Sequence, residues 1–224
     1  MTTVATLGGV GRAATWRLLS LGFAAPTEDR VAEVETIARG LVEIDPSPET
    51  AELLAALEGS SVDELASQYH ALFGGAVCVS PYEGSYELDP VRQGRQMADV
   101  AAFYRAFGAE PGGPAGERPD YVGCELEFLA FLELRLLVAA EEDEDEELLE
   151  RIGDTFLRDH AGRWLPTFFA DVQEAVVERS LYRALATVGV QVVQDELDRR
   201  GIECAPLRRR GQRLSVEGDS FTCG

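Results

Sequence analysis

Pro119-Asp120-Tyr121-Val122-Gly123-Cys124-Glu125-Leu126-Glu127-Phe128-Leu129-Ala130-Phe131-Leu132, continuing as Glu133-Leu134-Arg135-Leu136-Leu137-Val138, is the stretch whose spacing decides the fold class. Val122, Leu126, Leu129, Leu132 and Leu136 recur at helical intervals, while Phe128, Phe131, Leu134 and Leu137 fill the other sides. The spacing predicts a helix that is apolar nearly all round and belongs at the centre of a helical domain. Glu125, Glu127, Glu133 and Arg135 interrupt every window of the roughly 20 apolar residues that a membrane span requires. Stable membrane insertion is therefore not expected.

Working outward, the flanks repeat the signs that open and close helices. Thr27 is placed to cap a helix to about Val42, with Val31, Val34, Ile37, Ala38 and Leu41 on one face. Ser47-Pro48 opens the next, and Ser61 with Glu64 forms a capping box before Val62, Leu65, Ala66, Tyr69, Leu72 and Phe73, ended by Gly74-Gly75. Asp89-Pro90 starts a helix through Met97, Val100, Tyr104 and Phe107. On the far side of the central helix, seven acids run from Glu141 to Glu147, a solvated connection or an exposed helix start. Leu149, Ile152 and Phe156 resume the helical spacing, Pro166 is expected to begin another helix, and a last one spans Ser180 to Arg200 before Gly201. No strand alternation appears. The expected fold is all-α, one compact domain of roughly eight to ten helices over residues 1–200, with 201–224 as a basic, mobile tail.

Near the start, Gly9-Val10-Gly11-Arg12-Ala13-Ala14 fits the G-x-G-x-x-A form of a dinucleotide turn. That motif needs a buried strand before the glycines and another after the helix. Val4 to Leu7 is short, and Gly22-Phe23-Ala24-Ala25-Pro26 is not a strand. A short first helix is the expectation here, which leaves a nucleotide-dependent enzyme weakly supported.

Across its 224 residues the chain carries 40 acids against 20 basic residues, every one of them Arg, for a net charge of -20. This balance disfavours nucleic acid and favours a cationic partner. It equally suits a protein of a high-salt cytoplasm, where screening removes self-repulsion. Met1 to Gly9 lacks a charged segment followed by an apolar one, which points to a cytoplasmic protein. His70 and His160 are far apart with no metal-ligand spacing around either, so each is expected on a helix surface or in packing. Cys78, Cys124, Cys204 and Cys223 form no C-x-x-C and are expected as free thiols; Cys204 and Cys223 bracket the basic tail and leave a redox or metal role open for that pair. No cofactor and no catalytic residue are expected.

Three ordered blocks carry a resemblance. Tyr69-His70-Ala71-Leu72-Phe73 with Ser80-Pro81-Tyr82-Glu83-Gly84-Ser85-Tyr86, then Pro119-Asp120-Tyr121 leading into Glu125-Leu126-Glu127-Phe128-Leu129, then Phe156-Leu157-Arg158-Asp159-His160 with Trp164-Leu165-Pro166-Thr167-Phe168, cover most of residues 60–180. The set resembles the chaperones that mature molybdenum-containing redox enzymes, the family of the trimethylamine-oxide and dimethyl-sulfoxide reductase chaperones and of nitrate-reductase assembly proteins. Tyr121 stands where that family usually has His, and Gly84 where it often has Ser. The resemblance implies an all-helical, non-enzymatic chaperone that binds the twin-arginine leader or the apo form of the catalytic subunit of a molybdenum-containing oxidoreductase before export.

A receptor for such a leader needs carboxylates to take guanidinium forks beside an apolar groove. Glu83, Asp120 and Glu125 are the candidate carboxylates, and Tyr82, Tyr86, Tyr121 and Trp164 the candidate apolar and stacking surface. Each has a plainer reading: Asp120 as a helix cap, Glu83 as a loop anchor, Trp164 as core. Arg208-Arg209-Arg210 would suit occupation of the acidic groove in cis. The competing class is a ligand- or redox-responsive helical regulator, and monomer and dimer are equally compatible with the chain.

Overall fold

The computed structural model describes residues 4–207 apart from 45, 75–76, 110–115, 140–141, 143 and 177–179. Among the described residues the regular structure is helical, with a single isolated bridge between Tyr82 and Tyr121. Helix α1 (Val4–Gly22) is followed by α2 (Glu28–Ile44), α3 (Pro48–Glu58) and α4 (Val62–Phe73). A one-turn 3-10 segment, Glu83–Tyr86, leads to α5 (Pro90–Ala106), the central α6 (Val122–Val138) and α7 (Glu146–Phe156). A π-turn, Leu157–Ala161, passes straight into α8 (Gly162–Ala175), and α9 (Leu181–Arg200) closes the series.

Most of the helix starts follow the local chemistry. Ser47 and Ser61 form capping boxes with Thr50 and Glu64, and Asp89 and Ser180 cap α5 and α9 by accepting from Val91 and Tyr182 backbone N–H groups. Thr27 accepts from the Arg30 N–H at 3.3 Å. Gly201 ends α9 at φ 63°, a left-handed conformation that suits glycine. In the acidic run, Asp145 caps α7, Glu146 and Glu147 occupy its exposed first turn, where the helix dipole favours negative charge, and Glu144 pairs with Arg135 at 2.7 Å.

Two boundaries differ from expectation. Helix α1 is long, not short, and takes in Gly9 to Ala14, so no strand–turn–helix exists there. The small residue has a packing role: a Cβ on Gly9 would stand 2.7 Å from a Leu137 methyl, and Ser20 Oγ donates to the Gly123 carbonyl at 2.8 Å, so α1 lies close along α6. Pro166 does not open α8 but lies inside it. The helix starts four residues earlier because it inherits its first turn from the π-turn, where Gly162 N–H bonds back to the Leu157 carbonyl.

Helix α6 is central as expected. Only Glu127 and Leu134 on it are exposed, Leu134 at 55%, while Phe131 and the last turn, 135–138, are half-buried. Around α6 the aromatic residues form two clusters, one of Phe23, Phe73, Phe168, Phe169 and Tyr182, the other of Phe103, Tyr104, Phe128 and Phe156. Beyond α9 the chain turns back, and Leu207 N–H donates to the Arg163 carbonyl at 2.7 Å. Arg208 to Arg210 and Cys223 lie outside the described residues.

Candidate functional site

The 80–86 loop is stitched to the start of α6 by two backbone bonds. Glu83 N–H donates to the Asp120 carbonyl and Val122 N–H to the Pro81 carbonyl, each at 2.9 Å. This bridge brings together the first and second sequence blocks and sets Tyr82 against Tyr121, with ring centres 5.6 Å apart. The third block arrives from below through Trp164. Its indole N–H donates to Glu125 at 2.9 Å, and its ring packs on Tyr86 at 5.4 Å. All seven residues expected at the site therefore share one neighbourhood.

Their exposure separates them. Only Tyr82 is half-buried; Glu83, Tyr86, Asp120, Tyr121, Glu125 and Trp164 are buried. Each buried group already has an internal partner. Tyr121 donates to the Phe23 carbonyl at 2.5 Å, and burial pushes its phenol upward. Tyr86 lies within 3.2 Å of the Ser80 carbonyl and 3.4 Å of Asp171. Asp120 does not cap α6, whose N-cap position is Tyr121 and carries no side-chain cap. Its carboxylate instead accepts the Gly84 N–H at 3.1 Å and the guanidinium of Arg118 through both oxygens, at 2.9 and 2.7 Å.

Glu83 and Glu125 form a buried acidic layer. Burial foremost, then the proximity of Glu83, drives the Glu125 carboxyl well above the usual carboxylate range; the Trp164 N–H opposes this only in part. Its Oε1 is buried and has no hydrogen-bond partner. Glu83 faces His160, whose Nδ1 lies 3.2 Å away, and His160 Nε2 reaches Asp99 at 3.3 Å. Burial alone would lower the imidazole pKa. Glu83 and then Asp99 outweigh it and leave it raised, and when the ring is protonated each nitrogen has a carboxylate to donate to.

His160 and Arg118 were not picked out from the sequence. His160 is 2% exposed and joins α5 to the 80–86 loop from the π-turn, where an extra residue re-aims the side chain. The available signal was its place in the third block; its partners are too distant along the chain for spacing to reveal. Two surface cavities flank the layer. One, of about 470 Å³, is lined by Ser80, Pro81, Tyr82, Tyr86, Gln93 and Arg118 among others. The second, of about 700 Å³, is bounded by Arg92, Arg95, Gln96, Asp99, His160 and Arg163. Among the described residues no group of three His, Cys, Asp or Glu side chains is placed to hold a metal ion, and no helix is long and apolar enough to cross a membrane.

Comparison with known proteins matches residues 44–170 to the family described as nitrate reductase delta subunit. The selenate reductase assembly chaperone protein of Thauera selenatis is 37% identical over 109 residues, 47% of this chain and 56% of that protein. The chlorate reductase assembly chaperone protein of Ideonella dechloratans is 33% identical over the same length, with the same coverage of each. The chain thus spans about half the length of these relatives. A crystal structure from Archaeoglobus fulgidus, described as a redox enzyme maturation protein, shares the fold at TM-score 0.58 and 23% identity, covering 81% of this chain and 93% of that one. The family match runs over more than half of the chain and takes in every residue of the bridge and the acidic layer, from Tyr69 to Trp164; the chain belongs to the nitrate reductase delta subunit family.

Proposed function

We propose that this protein is a cytoplasmic assembly chaperone for the catalytic subunit of a molybdenum-containing oxidoreductase, binding its twin-arginine leader or its apo form without turnover. The observation that carries this reading is the family membership, together with relatives named as assembly chaperones of selenate and chlorate reductases. The geometry supports it. Glu83 pairs with His160, which also reaches Asp99 on α5, and Glu125 accepts from Trp164, so these contacts tie the 80–86 loop, α5, α6 and α8 together. The half-buried Tyr82 and the groove beside it provide an aromatic edge next to the Asp120 carboxylate, on a body whose charge of -20 attracts a basic segment. Against the redox regulator, burial pushes the Cys124 thiol up to about 12 and also raises Cys204, so neither is a ready thiolate.

Calorimetric titration with the apo catalytic subunit and with its isolated leader tests the proposal. Saturable binding of either, weakened about tenfold by Tyr82→Ala, is the expected result. Absence of binding to both ligands would remove the chaperone role.

A further inference from the structure

Asp120 is a carboxylate that cannot stand bare. Its side chain is 1% exposed, and an unpartnered buried carboxylate is strongly destabilising. Its charge is met by Arg118, whose planar fork spans both oxygens and whose guanidinium carbon sits 4.6 Å from the centre of the Tyr82 ring. Arg118 itself is 52% exposed and borders the 470 Å³ cavity. It hangs two residues before Asp120, just after Gly116 at φ 65°, and packs as a lid on the acid. The cradle's remaining wall is Gly84. Its N–H binds Asp120, and a Cβ there would stand 3.0 Å from Asp120 Oδ2 and 3.5 Å from the Arg118 terminal nitrogen. A side chain at this position would crowd the fork.

We propose that Asp120, Tyr82 and the Gly84 N–H form a guanidinium-recognition site, and that Arg118 is its resident occupant, exchanged for an arginine of the client segment on binding. An incoming guanidinium would remake the same fork and the same stack, so the acid is never left uncovered and the exchange is close to neutral. A lysine would remake neither, having a point charge and no planar fork. The site thus reads arginine over lysine, and Arg118 weakens a ligand that enters the cradle by the fraction of time it holds it. The identity of the segment rests on the chaperone reading above; the cradle itself does not.

The test uses the full chain with Arg118→Ala and Arg118→Lys, two peptides (an Arg-Arg leader and its Lys-Lys counterpart) and ethylguanidinium as a small probe. Arg118→Ala is expected to bind the Arg-Arg peptide about tenfold more tightly than the unaltered protein, with the Lys-Lys peptide little changed. Millimolar ethylguanidinium is expected to raise the melting temperature of Arg118→Ala but not of the unaltered protein. Should Arg118→Ala not fold, Arg118→Lys keeps the charge while losing fork and stack, and the same two readouts apply. Leader binding that is identical in all three proteins, with no response to ethylguanidinium, would overturn the inference and leave the chaperone reading in place. Failure of every form to bind leader or apo subunit would overturn that reading instead, and the ethylguanidinium response would still decide the cradle.

Discussion

His160 stands between a surface acid, Asp99, and a buried one, Glu83, with a ring nitrogen toward each. Beside them, burial and then Glu83 push the Glu125 carboxyl well above the usual carboxylate range. Both groups have folded pKa values above their unfolded ones, so both bind protons more tightly in the native state. Their contribution is complete below the unfolded values and drains as pH rises through the raised folded ones. The melting temperature is therefore expected to fall from about pH 6 to about pH 9, by more than in His160→Gln, which at pH 6 should itself cost about 1–3 kcal/mol. Glu125→Gln, a neutral group of the same shape, should flatten the profile without that cost. A wild-type melting temperature independent of pH in this range would refute the assignment. The residues of this layer were nominated by sequence blocks, but their pairing was not, because His160 lies 77 residues from Glu83 and 61 from Asp99.

Among the helices, caps and periodicity carried most of the reading. Ser47, Ser61, Asp89, Ser180 and Gly201 mark ends that depend on bonds within four residues, which local sequence encodes. Where a distant partner decides, local signals fall short: α1 keeps Gly9 where α6 lies close and Gly22 where Leu185 of α9 does, and α8 runs through Pro166 because a π-turn precedes it. The same distinction predicts opposite effects for two Gly→Ala changes inside helices. On α9, a Cβ at Gly189 would lie 2.5 to 2.7 Å from three ring atoms of the fully buried Phe169, so Gly189→Ala should destabilise by about 1–3 kcal/mol. On α2, Gly40 has nothing within 4 Å, and Gly40→Ala should stabilise by about 0.5–1 kcal/mol. Denaturant melts of the two variants check both signs at once.

For the molecule as a whole, charge is divided between a repelling surface and a paired interior. Glu133 and Glu196, 3% and 2% exposed, accept from Arg12, Arg199 and Arg200, and Arg200 also reaches Asp154, joining α1, α6, α7 and α9. Burial would raise the Glu196 pKa, but the two arginines on α9 outweigh it and hold it below the usual range. Salt screens this buried network weakly and the exposed acids strongly. The melting temperature is thus expected to rise from about 0.1 M to about 2 M KCl as self-repulsion of the -20 body is removed. A fall over that range would mean that ion pairs dominate and would count against the high-salt reading.

By itself the sequence determined that this chain is all-α, where most helices begin and end, which helix is central, and which blocks resemble a chaperone family. Those properties follow from periodicity, caps and motif order, all of them short-range along the chain. Only the tertiary structure decided that the candidate carboxylates are buried and already paired, that His160 bridges two of the chain's acids, and that Arg118 fills the Asp120 cradle over Tyr82. Burial and pairing depend on which surfaces the packed helices bring together, and a carboxylate is written the same way whether it faces water, a histidine or an arginine.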